Sequence, residues 1–403
     1  MENAKAVKFL DRASPPHLFT LVLLAGVSAM SMSIFLPSLP AMTQEFGTSY
    51  GLMQLSVSLY LAFTALAQFL IGPISDKYGR RPIVLGALGL FTVASIGCAF
   101  ANSVEVFLFF RMLQAVVAVT MALSRAIVRD MVPQAESAAM IGYVTMGMSL
   151  VPMIAPTIGG VLDANFGWRT TFVVMAAFGF ALLSLTIFDQ GETNSSKGQS
   201  FASQVSDYPE LFTSRRFWGY ALCAAFSSGA FFAFLGGAPY VATTVYGQPA
   251  ATVGMFLGIP AIGYFFGNLL SGRLSVRLGI NKMIWIGTTV LFAGMLCSIV
   301  VTLLGLGSVF SFFAFCAFVG LGNGMVLPNA TAGLLSVRPH LAGTASGVGS
   351  AIMIGGGAGL AAIAGAALEG SGSSLPLQWI MALSALASVI SIFYVNRREA
   401  QVA

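Results

Sequence analysis

Few side chains in this sequence could act on a bound molecule. One is a lone cation, Arg111, set in the apolar stretch Phe110-Arg111-Met112-Leu113-Gln114-Ala115. An arginine at the centre of a bilayer costs about 2.5–3.5 kcal/mol on insertion scales, so it must face a bundle interior and find acceptors. Gln114 lies on a neighbouring face, and Ser28, Ser31 and Ser33 of the first apolar run are the other candidate partners. Held in that way, Arg111 either staples helices together or polarises a cavity, binds an acceptor on a substrate, or tunes a proton site. The second charged feature is Gly72-Pro73-Ile74-Ser75-Asp76-Lys77-Tyr78-Gly79-Arg80-Arg81-Pro82, between two apolar runs. A weaker copy, Gly272-Arg273-Leu274-Ser275-Val276-Arg277-Leu278-Gly279, has the same offset at both glycines (72 to 272, 79 to 279), which points to two homologous halves.

Enzymatic chemistry has no constellation to use. His17 and His340 are far apart in sequence, and no H-E-x-x-H pair and no phosphate-cradling glycine loop with its lysine occurs. Cys98, Cys223, Cys297 and Cys316 fall singly inside apolar runs without metal-ligand spacing and are expected to pack as small hydrophobes. No catalytic residue, metal or cofactor is expected.

The elements that position these residues must lie in lipid. The chain is 57% hydrophobic and 8% charged, against about 25% charged in soluble domains. The net charge of +5 is scattered over short loops, not gathered on one face, which argues against nucleic acid as a partner. A spanning helix needs roughly 20 apolar residues. Twelve such spans are expected, at 18–39, 51–72, 82–101, 104–126, 138–162 and 168–188, then at 217–238, 251–272, 281–303, 308–330, 341–367 and 377–396. The first run ends at Pro37 and Pro40 and reads as a retained helix, not a cleaved signal peptide. This divides the chain into a six-helix bundle over 1–188, a polar and flexible linker over 189–216 with a short surface helix near Tyr208–Phe212, and a second bundle over 217–403. With the N-terminus inside, all 19 Lys and Arg residues except Arg111 and Arg169 fall on the cytoplasmic side, as basic loops require. Both termini are therefore expected in the cytoplasm of a cell whose plasma membrane the chain spans.

The loop motif resembles the G-x-x-x-D-R/K-x-G-R-R/K signature of the major facilitator superfamily. Arg111 and Gln114 resemble its R-x-x-Q-G motif, with Ala115 for the glycine. In the fifth span, Val151-Pro152-Met153-Ile154-Ala155-Pro156-Thr157-Ile158-Gly159-Gly160 resembles the G-x-x-x-G-P-x-x-G-G motif of drug antiporters, with Val151 and Ala155 at two of its glycines. There Pro156 removes a backbone donor and bends the helix, and Gly159 and Gly160 let the bend pack closely. Ser33-Ile34-Phe35-Leu36-Pro37-Ser38-Leu39-Pro40, Val128-Arg129-Asp130 and Ala230 to Tyr240 are similar to one subfamily, the bicyclomycin/chloramphenicol resistance (Bcr/CflA) exporters. The resemblance implies an all-α membrane protein of the major facilitator fold, with two pseudo-symmetric six-helix bundles, that exports small amphipathic drugs or metabolites by alternating access as a drug/proton antiporter. A monomer is expected. It also implies that Asp76 accepts hydrogen bonds at the start of the eleventh span and from nearby arginines as an inside latch. Spans 2 and 11, and spans 5 and 8, would meet across the halves. The eighth span (Gly254, Gly258, Gly263, Gly267, Gly272) and the eleventh carry the glycines for close approach.

One departure bears on coupling. The subfamily's acid in span 1 is Ser33 here, and none of the fourteen acids lies at mid-membrane. Asp130 is the remaining candidate proton site; its bland alternative is a loop ion pair with Arg129, Arg125 or Lys77. The competing function is an uncoupled facilitator or uptake carrier for a neutral small molecule. Substrate is expected at mid-membrane between the halves. Besides Ser33, Arg111 and Gln114, the lining candidates are Gln54, Ser58 and Tyr60 of span 2, Tyr143 of span 5, Phe231, Phe234 and Tyr240 of span 7, Tyr264 and Asn268 of span 8, and Asn323 of span 10. An apolar, aromatic cavity with few polar anchors and no carboxylate suits uncharged or weakly polar amphipaths better than cations.

Overall fold

A chain crossing hydrocarbon must satisfy its backbone polar groups internally, and helices do this within each segment. The computed structural model describes residues 7–132, 140–141, 143–144, 147–148, 151–194, 208–338 and 342–402; at 72, 73, 153, 208, 342–344, 346 and 399–402 it describes the backbone alone. Among the described residues there are helices and connections, and no strand. The first half contains α1 (Leu18–Ser33), α2 (Leu39–Glu45), α3 (Tyr50–Tyr78), α4 (Arg80–Ala99), α5 (Val104–Gln114), α6 (Ala118–Met131), α7 (Val151–Phe166) and α8 (Arg169–Asp189). A short α9 (Tyr208–Phe212), where the sequence predicts one, precedes the second half. That half comprises α10 (Arg215–Tyr240), α11 (Ala250–Leu257), α12 (Ile259–Leu278), α13 (Ile280–Leu303), α14 (Val309–Ser336), α15 (Ala342–Leu368) and α16 (Leu375–Val402).

Eleven stretches among the described residues are long and apolar enough to span. The twelfth, expected at 138–162, is described as α7 and a few helical residues between 140 and 148; its beginning lies outside the described residues. The first span differs from expectation at its end. It does not stop at Pro37 and Pro40 but continues to Glu45 through a 3₁₀ turn at Leu36–Ser38 and then α2. Each proline occupies a first-turn position, where its missing N–H has no helical partner to lose.

The repeat is visible in the backbone. Gly79 joins α3 to α4 at φ 96°, ψ 155°, and Gly279 joins α12 to α13 at φ 82°, ψ 155°. A positive φ of this kind is adopted by glycine at little cost, which explains why both copies keep it. Across the halves, α3 packs on α15 and α7 on α11, so spans 2 and 11 and spans 5 and 8 do meet. Two glycines of the eighth span serve a different contact. Cβ atoms at Gly263 and Gly267 would overlap the carbonyls of Ala317 and Leu321 on α14, inside the second half, and Gly254 alone among them meets the first half, at Pro156. Cys98, Cys223 and Cys316 are buried as expected, whereas Cys297 is exposed because it falls on the outward face of α13.

Candidate functional site

Arg111 stands on α5 one turn before the chain tightens into a 3₁₀ turn at Ala115–Val117. It is 1% exposed. Its Nε donates to the Ser56 carbonyl at 3.2 Å, Nη1 donates to Gln114 Oε1 at 2.7 Å and Ser31 Oγ at 3.2 Å, and Nη2 donates to the Ser31 carbonyl at 2.9 Å. The guanidinium carbon lies 4.2 Å from the Phe35 ring centre and 4.0 Å from that of Tyr60. Gln114 and Arg111 meet because residues three apart share a helix face, and Gln114 Nε2 passes the network on to Ser95 Oγ at 2.7 Å. Hydrogen bonds to a charged group contribute about 1.5–3 kcal/mol each, and a desolvated cation–π contact about 2 kcal/mol. Four bonds and two ring faces therefore outweigh the insertion penalty without any carboxylate. Of the serines expected as partners, Ser31 serves; Ser33 instead donates to the Ala29 carbonyl of its own helix at 2.9 Å. Phe35 and the Ser56 carbonyl were not foreseeable partners: a ring in an apolar run carries no special signal, and a backbone oxygen is invisible in side-chain types.

A second polar layer ties the halves together at the face opposite the chain ends. Tyr50 Oη donates to the Gly236 carbonyl at 2.7 Å, and its ring centre lies 4.8 Å from that of Tyr240. Tyr240 Oη donates to the Ser371 carbonyl at 3.4 Å. One turn further, Gln54 Nε2 donates to the Ala361 carbonyl at 3.3 Å, in a gap that exists because Gly236 and Gly365 have no side chains. Beside it α7 and α11 touch backbone to backbone: a Cβ on Gly160 would overlap the Ala250 carbonyl, and one on Gly254 the Pro156 carbonyl. Gly159 packs in the same way on the Ile34 carbonyl. Pro152 lies two turns before Gly159, half-buried.

The remaining lining candidates form separate groups. Ser58 Oγ donates to the Gln54 carbonyl at 3.4 Å. Phe231 stacks on Phe234 at 6.3 Å, and Phe234 is fully buried against Phe313. Asn323 accepts from Ser227 Oγ at 2.7 Å. Asn268 donates to the Tyr264 carbonyl at 2.8 Å, on the turn of α12 that packs against Gly324. Tyr143 is 58% exposed. Buried polar atoms on α3, namely Gln54 Oε1, Ser56 Oγ and Thr64 Oγ1, have no hydrogen-bond partner among the described residues.

On the face that carries the chain ends, Arg80 is the centre of a charge cluster. It pairs with Asp76 at 2.7 Å and with Asp130 at 3.1 Å, and its Nη1 also reaches Ser75 Oγ. Asp130 is thus paired, but with Arg80 and not with Arg129, Arg125 or Lys77, because the positive-φ turn at Gly79 swings Arg80 back over the end of α6. Lys77 lies against the ring of its neighbour Tyr78 at 5.1 Å. Gly72 lies in the last third of α3, its backbone helical.

The expected flexible linker is pinned over its first six residues. Asp189 is fully buried and accepts from the backbone N–H groups of Leu10 and His17 and from Thr20 Oγ1 at 2.7–2.9 Å. Glu192 accepts from the backbone N–H groups of Arg80 at 2.9 Å and Arg81 at 3.1 Å, the open N-terminus of α4, and Asn194 donates to the Asp76 carbonyl at 2.8 Å. Carboxylates at helix N-termini are favoured by the exposed N–H groups and the helix dipole. Arg81 donates to the carbonyls of Gln190 and Ile187. These anchors join residues over 100 positions apart, beyond the reach of local sequence reasoning.

Comparison with known proteins agrees with this architecture. The family model described as Major Facilitator Superfamily matches residues 21–362. A chloramphenicol resistance protein of Pseudomonas aeruginosa is 31% identical over 325 residues, covering 80% of this chain and 77% of the relative. A bicyclomycin resistance protein homolog of Haemophilus influenzae is 25% identical and covers 95% of this chain and 96% of its own. Among solved structures, an inward-facing, occupied bacterial homolog of the human lysosomal transporter Spinster superposes with a TM-score of 0.74 at 18% identity, covering 94% of this chain and 96% of that one. That likeness establishes the fold.

Proposed function

The chain belongs to the Major Facilitator Superfamily and its Bcr/CflA branch, a membrane transporter and not an enzyme, and on that premise we propose that it exports small, uncharged or weakly polar amphipathic molecules by alternating access, in exchange for protons. Amphenicol-like antibiotics and related metabolites are the substrate class. The names of its relatives, a chloramphenicol resistance protein and a bicyclomycin resistance homolog, support this reading. The observation that carries the choice of substrate is the environment of Arg111, whose described partners are neutral oxygens and two aromatic faces. A buried positive charge without a counter-charge repels organic cations and favours molecules rich in acceptors. The unpartnered polar atoms of α3 offer neutral hydrogen bonds at the same level of the bundle.

The distribution of Lys and Arg supports a cytoplasmic location for both termini in a bacterial inner membrane. The contacts of Tyr50, Gln54, Gly160 and Gly254 then close the external side. Transport requires them to part while the cytoplasmic end closes. Asp130 is the candidate proton carrier: a proton on its carboxylate breaks the pair with Arg80, and release of that proton to the cytoplasm restores it. A specific observation favours the alternative of an uncoupled carrier. Ser33 holds only its own helix, and no carboxylate contacts the Arg111 network among the described residues. The first test is transport by purified protein in liposomes. Saturable movement of labelled chloramphenicol that tetraphenylphosphonium fails to compete is expected; preferential transport of the cation would overturn the assignment.

A further inference from the structure

At the opposite edge of the second half, away from the interface between halves, the start of α10 and the end of α16 enclose a surface cavity of about 220 Å³ lined by Arg215, Tyr394, Arg397 and Arg398. Three of its four lining residues are arginines, of which Arg215 and Arg397 carry the argument, and no carboxylate is among the described residues that line it. Arg215 opens α10, whose N-cap Ser214 already accepts from the Phe217 N–H, so the positive end of the helix adds to the arginines. Drug-sized ligands occupy pockets of about 300–1,000 Å³, so this one suits a smaller anionic group. Its rim identifies the depth. In the chain beside it, Trp218, one turn after Arg215, is 36% exposed with its other face stacked on Phe212, and Phe393, next to Tyr394, is 56% exposed with its ring centre 6.3 Å from that of Trp285. Tryptophan and tyrosine concentrate where hydrocarbon meets headgroups, and basic pockets between spanning helices bind anionic headgroups.

We propose that this cavity binds the phosphodiester of an anionic phospholipid, with Arg215 and Arg397 on the phosphate, Tyr394 at its side and the acyl chains running down the Trp218 and Phe393 surfaces. The same guanidinium groups would accept a free phosphate ester, and the aromatic, lipid-facing rim is what favours a lipid. None of these residues is among the substrate-lining candidates, so the site is independent of the substrate assignment.

The test is native mass spectrometry of the full-length protein in detergent, mixed with phosphatidylglycerol or phosphatidylcholine of equal chain length. Wild-type protein is expected to retain phosphatidylglycerol preferentially. Arg215→Gln with Arg397→Gln should weaken retention by about fivefold per arginine removed, while Arg273→Gln with Arg277→Gln, on the same face but outside the cavity, leaves it unchanged. Glycerol 3-phosphate should not displace the lipid. Equal retention of both lipids by wild-type protein, which requires no variant to fold, would overturn the proposal. So would undiminished retention by a cavity variant that elutes as a single species. Displacement by glycerol 3-phosphate would reassign the site to soluble phosphate esters.

Discussion

The contact between α7 and α11 offers a direct way to bias the transporter. Gly160 lies against the backbone of the other half: an added Cβ would overlap the Ala250 carbonyl oxygen and come within 3.1 Å of its carbon and of Ala251 Cα. Carbon atoms prefer about 3.5–4.0 Å, so Gly160→Ala forces the two helices apart by several tenths of an ångström. Overpacking of this kind costs about 1–3 kcal/mol. In the proposed alternating access these helices separate when the external side opens, so the penalty falls on the closed state alone. A penalty of that size shifts the equilibrium toward the open state by about 5- to 150-fold. The assay is electron–electron distance measurement between spin labels at Gln44→Cys and Gly372→Cys, one on each half, with Cys297 replaced. Gly160→Ala should broaden and lengthen the distance distribution. Gly263→Ala is the matched control, since its Cβ would strike the Ala317 carbonyl within one half; it should lower the melting temperature and leave the distances alone. An unchanged distribution in a well-folded Gly160→Ala protein would refute the reasoning, and so would lengthening by Gly263→Ala.

Other perturbations follow from the same contacts. Gln54→Ala removes the bond to the Ala361 carbonyl, a loss of about 0.5–1.5 kcal/mol, and should shift the same distances in the same direction by a smaller amount. Arg111→Lys keeps the charge but loses the planar fork and its stacking on Phe35 and Tyr60; transport should fall and thermal stability drop by about 2 kcal/mol, read as a lower melting temperature in detergent. Glu192→Gln removes the anion from the N-terminus of α4, about 0.3–1 kcal/mol, which hydrogen exchange at the amides of Arg80 and Arg81 should report as faster opening. Asp76→Asn breaks the pair with Arg80 and should impair transport at normal expression; full activity would remove the latch from the account.

The parts of this molecule readable from its sequence are those written in periodic or local terms. Apolar length sets the spans, the offset between Gly79 and Gly279 sets the repeat, and the cost of a buried Arg111 required acceptors, of which Gln114 and Ser31 are two. What escaped the sequence was decided at long range. Asp130 finds Arg80 because a glycine turn redirects the chain, not because of its own neighbours. Asp189 and Glu192 look like the beginning of a solvated linker, yet they cap α1 and α4, because an open helix N-terminus attracts a carboxylate wherever the chain brings one. Pro37 and Pro40 looked like an end to the first span, and their placement in first turns made them harmless.

The central claim is that a neutral amphipath leaves the cell in exchange for protons. The most direct measurement is proton movement in liposomes holding the purified protein and a pH-sensitive dye, with a pH gradient imposed and chloramphenicol added. Chloramphenicol is expected to dissipate the gradient in a saturable way, and Asp130→Asn to abolish this effect. Flux of labelled chloramphenicol with no accompanying proton movement would contradict it and make the protein an uncoupled carrier.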